Sequence, residues 1–364
     1  MRLTIPTNWD NKLIEGCQGL PVHTVYGKMR YDLIGGGRPA GALPEVTKEQ
    51  VKEHIKLVHD QGFAFNYLMN ASCVGNLISQ PKIYDQIRHY LDWIAEIKAN
   101  YITVSIPFLI EFIHRYYPEF KLVVSVFSHV DSVDQALYYE SLGAVEITIV
   151  QMYNRDFSFL SQFRNRITAD LQIIVNNACL YGCPYRRYHA NINSHSTMTG
   201  NDNIGFDYPV VSCTCNRFNK PEEWIKSPWI RPGDLHYYEE IGIDKFKISG
   251  RTKTTAWLLK VIRAYADRRT PDNIMELLSV PNGALGSAKR KKYTPYDDTE
   301  IIIDNHSLGD FLPEIRKRDC QLLSCNQCGY CIRLAEKAVR FDGEACRAAG
   351  ESYRGLIDNR LENN

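Results

Sequence analysis

The 364-residue sequence contains no uninterrupted apolar run long enough to cross a bilayer, which disfavours a membrane-spanning helix. Its first eight residues, MRLTIPTN, lack the apolar centre of a signal peptide. Neither sign of charge is in excess, because 43 Lys and Arg residues face 42 Asp and Glu residues, for a net charge of +1. This balance argues against a nucleic-acid binder that works through bulk positive charge. We expect a soluble, cytoplasmic protein with no membrane partner.

Motifs of several common enzyme classes are also missing. The sequence has neither the Gly-x-Ser-x-Gly of a serine hydrolase nor the His-Glu-x-x-His of a zinc peptidase. The glycine-rich segment 35–41 is not followed by the Gly-Lys-Ser/Thr ending of a P-loop. A radical S-adenosylmethionine loop, Cys-x3-Cys-x2-Cys, would need a cysteine where Arg186 stands. These absences disfavour the corresponding reactions.

Cysteine, in contrast, is abundant for a protein of a reducing compartment, with eleven residues. A β-branched run that ends in two asparagines predicts a buried strand, and Cys179 and Cys183 follow its carboxyl end. A second strand-like run at 208–212 delivers Cys213 and Cys215. Four thiols match the ligand number of an iron–sulfur cluster and of a tetrahedral zinc ion, and both alternatives remain open.

A second group of four cysteines lies near the end of the sequence and comprises Cys320, Cys325, Cys328 and Cys331. A Cys-x-x-Cys-x-x-Cys run with a fourth thiol nearby is the spacing that ferredoxin-like clusters use. We expect a second iron–sulfur cluster here, with zinc and an unmetallated site as the alternatives. Such a cluster would relay electrons.

Hydrophobic strands alternate with amphipathic helices along most of the chain, which predicts an α/β protein with a parallel sheet covered by helices. Thr47 and Gln50 resemble a capping box at the start of one helix. We count eight strands, centred near residues 23, 65, 103, 125, 148, 174, 210 and 247. Eight β/α units predict a TIM-like (β/α)8 barrel, with a doubly wound sheet as the alternative. The expected domains are the barrel at 1–268, an extension at 269–318 and a cysteine-rich tail at 319–364.

Polar residues that follow the predicted strands indicate where an active site would lie. In a barrel the carboxyl ends of all strands meet at one rim. Asn70, Asn177, Arg155 and Arg251 would therefore collect there, together with the first group of cysteines. The planar guanidinium groups of Arg251 and Arg155 suit a carboxylate or a phosphate. These four residues are the candidate catalytic residues.

Four segments resemble a known family, namely 66–73, 177–179, 230–235 and 242–251, of which the Phe-Lys-Ile-Ser-Gly-Arg part is the most specific. Over residues 20–268 the chain is similar to the collagenase-like peptidase family, U32. The resemblance implies a TIM-like barrel in which four cysteines hold a [4Fe-4S] cluster. It also implies oxygen-independent hydroxylation of ubiquinone precursors or of RNA bases, with prephenate as the oxygen donor. The cysteine-rich tail is not part of the family pattern and indicates a specialised subgroup.

Taken together, the residues and the resemblance predict an iron–sulfur-dependent enzyme with two clusters. It would carry out oxygen-independent hydroxylation, or a related redox modification, of a small molecule or a peptide. One alternative is a collagenase-like peptidase that pairs Cys73 with His23 or His129. The others are an RNA-modifying hydroxylase, for which the run 289–292 is a local basic patch, and a zinc-stabilised binding protein. A partner subunit or an electron donor could complete the site.

Overall fold

The computed structural model describes residues 1–200, 207–280 and 300–362 of the chain. The basic run 289–292 lies outside the described residues. Within the described ranges, no helix is long and apolar enough to span a membrane.

Eight parallel strands form a closed barrel, in which each strand pairs with its neighbours in chain order. The first strand pairs with both the second and the eighth, so that Arg2 lies opposite Lys245 and the sheet has no free edge. This closure confirms the predicted TIM-like barrel and excludes the doubly wound sheet. The strands are β1 Arg2–Pro6, β2 Val22–Gly27, β3 Ala64–Met69, β4 Tyr101–Val104, β5 Lys121–Val124, β6 Ala144–Thr148, β7 Asp170–Ile174 and β8 Lys245–Lys247.

Helices cover the outer face of the barrel. The predicted capping box is present, because the Gln50 N–H donates to Thr47 Oγ1 at 3.2 Å and the Thr47 N–H donates to Gln50 Oε1 at 2.8 Å. Outward apolar side chains such as Ile173 and Phe246 pack with the helices in one large hydrophobic cluster. The helices of this part of the chain, on the outer face or beyond the carboxyl ends of the strands, are α1 Asn11–Glu15, α2 Lys48–Asp60, α3 Ile83–Glu96, α4 Pro107–Tyr116, α5 Val133–Ser141, α6 Phe157–Arg164, α7 Arg186–His195, α8 Tyr208–Asn219, α9 Glu222–Lys226, α10 His236–Glu239 and α11 Thr255–Ala266.

The strand predicted at 208–212 is wrong, because these residues form the first turns of α8. The barrel strand that the prediction lacked is β1, at the start of the chain. Asp207 caps α8 by accepting a hydrogen bond from the Val210 N–H at 3.0 Å. Pro209 lies in the first turn, where a missing N–H costs no helical hydrogen bond. The cap and the proline favour a helix over the strand that the β-branched residues suggested.

Polar side chains fill part of the barrel interior. Gln172 Nε2 donates to Glu146 Oε1 at 2.6 Å, and Lys245 forms a buried ion pair with the same carboxylate. Successive side chains of a strand point to opposite faces. Lys247 therefore also faces inward, closer than Lys245 to the carboxyl ends of the strands.

The C-terminal elements pack against the barrel through a second hydrophobic cluster. At its centre, Phe311 stacks on Trp229 with ring centroids 4.9 Å apart. Of the predicted extension at 269–318, residues 281–299 lie outside the described ranges, and the predicted domain division stays a prediction. The elements here are β9 Ile301–Ile303, α12 Asn305–Leu308, α13 Phe311–Arg316, α14 Cys325–Cys328, α15 Tyr330–Ala338, β10 Val339–Phe341 and α16 Gly343–Glu362.

Candidate functional site

A pocket of about 330 Å³ lies at the carboxyl ends of the barrel strands. This is the position at which barrel enzymes carry their active sites. The residues that follow β7 and β8 form part of its wall, and α7 forms another part. Polar and charged side chains that line the pocket include Arg38, Asn70, His129, Asn177, Lys247 and Arg251.

Asn176 joins the segments that follow β7 and β8. Its Nδ2 donates to the Ser249 carbonyl at 3.0 Å, and its Oδ1 accepts from the Ser249 N–H at 2.7 Å. Asn177 lines the pocket, and its Oδ1 accepts a hydrogen bond from Cys179 Sγ at 3.5 Å. Because Arg251 lies two residues beyond Ser249, this pairing holds the thiol-bearing loop beside the guanidinium.

Arg251 follows a turn that requires glycine. Gly250 has a φ of 140°, and a Cβ at this position would lie 2.8 Å from a ring carbon of Trp257. Arg251 is 5% exposed, and its Nη1 has no hydrogen-bond partner among the described residues. Burial lowers its pKa to about 10, and the nearby charge of Arg38 acts in the same direction. At neutral pH the guanidinium is therefore charged and buried, without an ion pair in the described part of the chain.

Lys247 adds a second cation to the pocket. Its Nζ lies 4.4 Å from the ring centroid of Tyr26. Burial lowers the pKa of Lys247 to about 8; Glu146 opposes this shift, whereas Arg251 and Arg38 add to it. An anion bound between the two cations would favour the protonated lysine.

Four further buried polar atoms at the pocket have no hydrogen-bond partner in the described ranges: His129 Nε2, Asn70 Oδ1, Arg186 Nη2 and Asn193 Oδ1. Burial lowers the pKa of His129 to about 4, and Arg187 and Arg186 act in the same direction, so the imidazole is neutral at physiological pH. Buried polar atoms rarely stay unpaired in folded proteins. These atoms therefore mark positions at which a ligand or water would bond.

Cys179, Cys183 and Cys213 lie close to one another at this pocket. Cys179 and Cys183 line the wall, and Cys213 is 7% exposed on α8. Burial raises the pKa of Cys183 and raises that of Cys213 to about 11, and the neighbouring Cys179 adds to both shifts. Arg217 opposes the shift at Cys213, where its Nη1 lies 3.6 Å from Sγ. The three thiols and this guanidinium form one group.

Cys215 does not join the other three thiols. Residues two apart on an α-helix point about 200° away from each other, and Cys215 Sγ donates to the Gly350 carbonyl at 3.4 Å. Cys215 packs against Tyr353 and Ile357 of α16. The predicted four-thiol set at the barrel is therefore a three-thiol set in the structure.

The expected groups differ in the arrangement of donors that they require. Among the described residues, no three His, Cys, Asp or Glu side chains lie at the spacing of ligands to a single metal ion. A zinc site needs its donors within about 2.0–2.3 Å of one ion, whereas a cluster spreads its cysteine ligands over several irons. The three neighbouring thiols are one donor short of the four cysteine ligands that were predicted for either group, and the choice between zinc and a cluster stays a prediction.

Arg155 lies outside this pocket. Its Nε and Nη2 donate to the Trp229 carbonyl at 3.1 and 2.6 Å, and its Nη1 donates to the Ile225 carbonyl at 2.8 Å. The guanidinium carbon also lies 4.7 Å from the ring centroid of Trp229 and 4.6 Å from that of Phe311. These contacts make Arg155 a bridge between the barrel and the C-terminal elements.

Sequence reasoning missed Lys247, Arg38 and Asn176 as residues of the site. A signal for Lys247 was present, since Lys245 and Lys247 alternate with apolar residues in β8 and so share its inner face. Asn176 could have been identified from its position directly after a predicted strand. No comparable signal marks Arg38, which reaches the pocket from a loop.

The residues expected to form a cysteine–histidine pair do not meet. Cys73 Sγ accepts a hydrogen bond from the Gly75 N–H at 3.3 Å. His23 lies near the start of β2, at the other end of the barrel, and contacts Thr24 Oγ1 at 2.6 Å. His129 has no hydrogen bond to Cys73 in the described part of the chain. This arrangement offers no activated thiol nucleophile.

The four C-terminal cysteines line a separate cavity, together with Arg155 and Tyr181. We call Cys320, Cys325, Cys328 and Cys331 the tail thiols. The cavity that these thiols line and the pocket at the strand ends have no lining residue in common. The two groups of cysteines are therefore distinct.

Comparisons with known proteins agree with the barrel fold. The sequence profile of peptidase family U32 matches residues 40–277. An uncharacterised protease of Methanocaldococcus jannaschii is 32% identical over 309 residues, which cover 85% of this chain and 86% of the relative. The solved structure of a U32 peptidase aligns with a TM-score of 0.52 and 23% identity over 68% of this chain and 92% of that one, which shows a shared fold. The chain therefore belongs to peptidase family U32.

Proposed function

We propose that this U32 protein is an iron–sulfur-dependent enzyme that carries out oxygen-independent hydroxylation, or a related redox modification, of an anionic small molecule or peptide. The observation that carries the proposal is the position of Arg251. Its guanidinium is buried without an ion pair in the described ranges, in a pocket that Cys179 and Cys183 also line. A positive anchor and a wall that carries cysteine thiols then face the same space.

The charges of the pocket favour an anionic substrate. The cationic side chains of Arg251, Lys247 and Arg38 all line it. Among its described lining residues the one carboxylate is that of Asp207, which lies 3.3 Å from His189 Nε2. A carboxylate or phosphate would accept two parallel hydrogen bonds from Arg251 and offset the cost of burying its charge. Prephenate, the oxygen donor that the family resemblance implies, carries two carboxylates and suits this arrangement.

The three barrel thiols are the proposed holders of a [4Fe-4S] cluster at the pocket wall. When bound, the cluster would supply electron transfer beside the substrate. Arg217 would offset part of the thiolate charge, since its guanidinium already lies beside Cys213. Lys247 and Arg251 would bind and orient the anion. A volume of about 330 Å³ favours a small molecule or the end of a peptide over folded RNA.

The test is a binding measurement on anaerobically purified protein, with prephenate as the probe and iron and sulfide assayed on the same sample. Arg251→Gln should lower the affinity at least about tenfold, because it removes a buried charge-assisted pair. Arg251→Lys should restore part of it. Arg166→Gln, which removes an exposed arginine near the start of β7, is the matched control and should have no effect.

Two results would overturn the proposal. One is iron-free protein that cleaves peptides after anaerobic purification, which would support the peptidase alternative. The other is unchanged prephenate affinity in Arg251→Gln, with circular dichroism showing that the variant is folded.

A further inference from the structure

The tail thiols line part of a cavity of about 530 Å³. They come from three consecutive elements: Cys320 follows α13, Cys325 and Cys328 lie on α14, and Cys331 lies in the first turn of α15. The cysteine side chains are free, and Cys320 is exposed whereas the other three are half-buried. The cavity therefore has four soft donors on its wall.

A local turn directs these thiols to the cavity. Ser324 caps α14 by accepting a hydrogen bond from the Gln327 N–H at 3.3 Å. Gly329 then adopts a left-handed conformation with a φ of 62°, which ends α14 and starts α15 at a new angle. Because the chain changes direction between Cys328 and Cys331, the thiols of both short helices reach the same space.

The charges around the cavity suit a group that carries negative charge. Arg155 lies beside Cys331 and Cys320 and has backbone carbonyls, not a carboxylate, as its hydrogen-bond partners. Lys226 and Arg318 also line the cavity, although each pairs with a glutamate, Glu223 and Glu314 respectively. Thiolates held around an inorganic cluster would therefore meet a buried guanidinium.

The sequence spacing of the tail thiols, Cys-x4-Cys-x2-Cys-x2-Cys, is of the kind that iron–sulfur clusters use. The four cysteines are among the residues that line the cavity, whose volume of about 530 Å³ is much larger than one ion. A single zinc ion would need the four sulfurs to close on one point.

We propose that the cavity binds a second [4Fe-4S] cluster, with Cys320, Cys325, Cys328 and Cys331 as its ligands. The tail thiols lie outside the residues 40–277 that match the U32 profile, so this site is additional to the barrel. It stands on its own residues and does not depend on the proposed function.

Tyr181 connects the two groups of cysteines. It lies in the loop between Cys179 and Cys183, and its hydroxyl donates to the Cys320 carbonyl at 2.9 Å. Tyr181 also lines the cavity of the tail thiols. The second cluster would therefore lie next to the loop that bears two of the barrel thiols.

The test compares metal content in four anaerobically purified proteins: wild type, Cys325→Ser/Cys328→Ser, Cys179→Ser/Cys183→Ser and the control Cys73→Ser, whose thiol belongs to neither group. Iron, acid-labile sulfide and zinc are measured on each. We expect about eight irons in the wild type and in Cys73→Ser, and about four in each double variant.

The outcomes separate this proposal from the proposed function. Iron that is unchanged in Cys325→Ser/Cys328→Ser, or zinc in the wild type that this variant lacks, would overturn the second cluster. Iron that is unchanged only in Cys179→Ser/Cys183→Ser would overturn the barrel cluster and leave the second one standing. If the tail variant does not fold, low-temperature electron paramagnetic resonance of reduced Cys179→Ser/Cys183→Ser decides: the signal of a reduced cluster supports the proposal, and the lack of one contradicts it.

Discussion

Lys245 and Lys247 occupy the same face of β8, yet their surroundings shift their pKa values in opposite directions. Burial disfavours the charge on both lysines. Glu146 and Asp170 raise the pKa of Lys245 above its ordinary value, whereas Lys247 has no ion pair in the described ranges and its pKa falls to about 8. The first lysine stabilises the barrel, and the second remains available to a ligand.

The low pKa of Lys247 predicts a pH dependence of binding. The affinity for prephenate should decrease as the pH rises through about 8, because the lysine loses its proton there. The bound anion raises the pKa of Lys247 in the complex, so the affinity continues to fall until the pH exceeds that higher value. Isothermal titration calorimetry between about pH 6.5 and about pH 9.5 measures it. Lys247→Arg should bind with nearly constant affinity over this range, and an equal decrease in that variant would contradict the assignment.

Some site residues could be predicted from sequence because their chain position determines where they lie. Asn70, Asn177 and Arg251 each follow a strand that the hydrophobic pattern marked, and all three line the pocket. Arg155 also follows a strand but turns away, since its partners Trp229 and Phe311 come from distant parts of the sequence. Hydrophobic periodicity contains no information about such long-range contacts.

Helix α8 shows how a change of secondary structure alters a ligand set. In a strand, Cys213 and Cys215 would share a face, because side chains alternate with a period of two. In α8 they point to different sides, and only Cys213 stays near Cys179 and Cys183. The Asp207 cap and Pro209 were visible in the sequence as helix-start signals, although Val210 and Val211 favoured a strand.

The geometry of α8 predicts unequal effects of two substitutions. Cys213→Ser should lower the iron content by up to about four per chain, since it removes a proposed ligand. Cys215→Ser should leave the iron content unchanged, because its thiol faces α16. Iron and sulfide assays on anaerobic samples compare the two variants directly. An equal loss of iron in both variants would mean that Cys215 is a ligand and that α8 has a different orientation in the protein with a bound cluster.

The closed barrel depends on a contact between the two ends of its sequence. Arg2 on β1 donates to Asp244 at 2.9 Å and to Asp170 at 3.2 Å, and Lys245 pairs with Asp170 at 2.9 Å. Our sequence count of eight strands was right in number although one member was wrong, because β1 was omitted and 208–212 was included. Periodicity identifies strands one at a time, and only the β1–β8 pairing reveals closure.

The Arg2 network predicts a pH-dependent contribution to stability. Burial alone would raise the pKa of Asp170 and Asp244, but their hydrogen bonds to Arg2 help to lower both values below the ordinary 3.8. The stabilisation by Arg2 is therefore present above about pH 4 and is lost as the pH falls through the lowered pKa values. Arg2→Met should unfold at lower urea concentration than the wild type at pH 6, and the difference should shrink at pH 3.

The control for this prediction is Arg340→Met, which removes an exposed arginine paired with Asp304 at 3.3 Å. It should change the urea midpoint little at either pH, since exposed ion pairs contribute little to stability. A difference between Arg2→Met and the wild type that is the same at pH 6 and pH 3 would show that Arg2 acts through packing and not through its charge.

The pairing of β1 with β8 also sets an order of events during protein synthesis. β1 leaves the ribosome first, but one of its two neighbours, β8, ends at Lys247. Until that residue has emerged, the nascent chain carries a strand with an unpaired edge. Such an edge can pair with other chains and lead to aggregation. The pocket cannot exist before then either, because Arg251 is made four residues later. Ribosome-bound fragments that stop before β8 would therefore need protection by chaperones, and both substrate binding and barrel closure would begin only when this last strand is delivered.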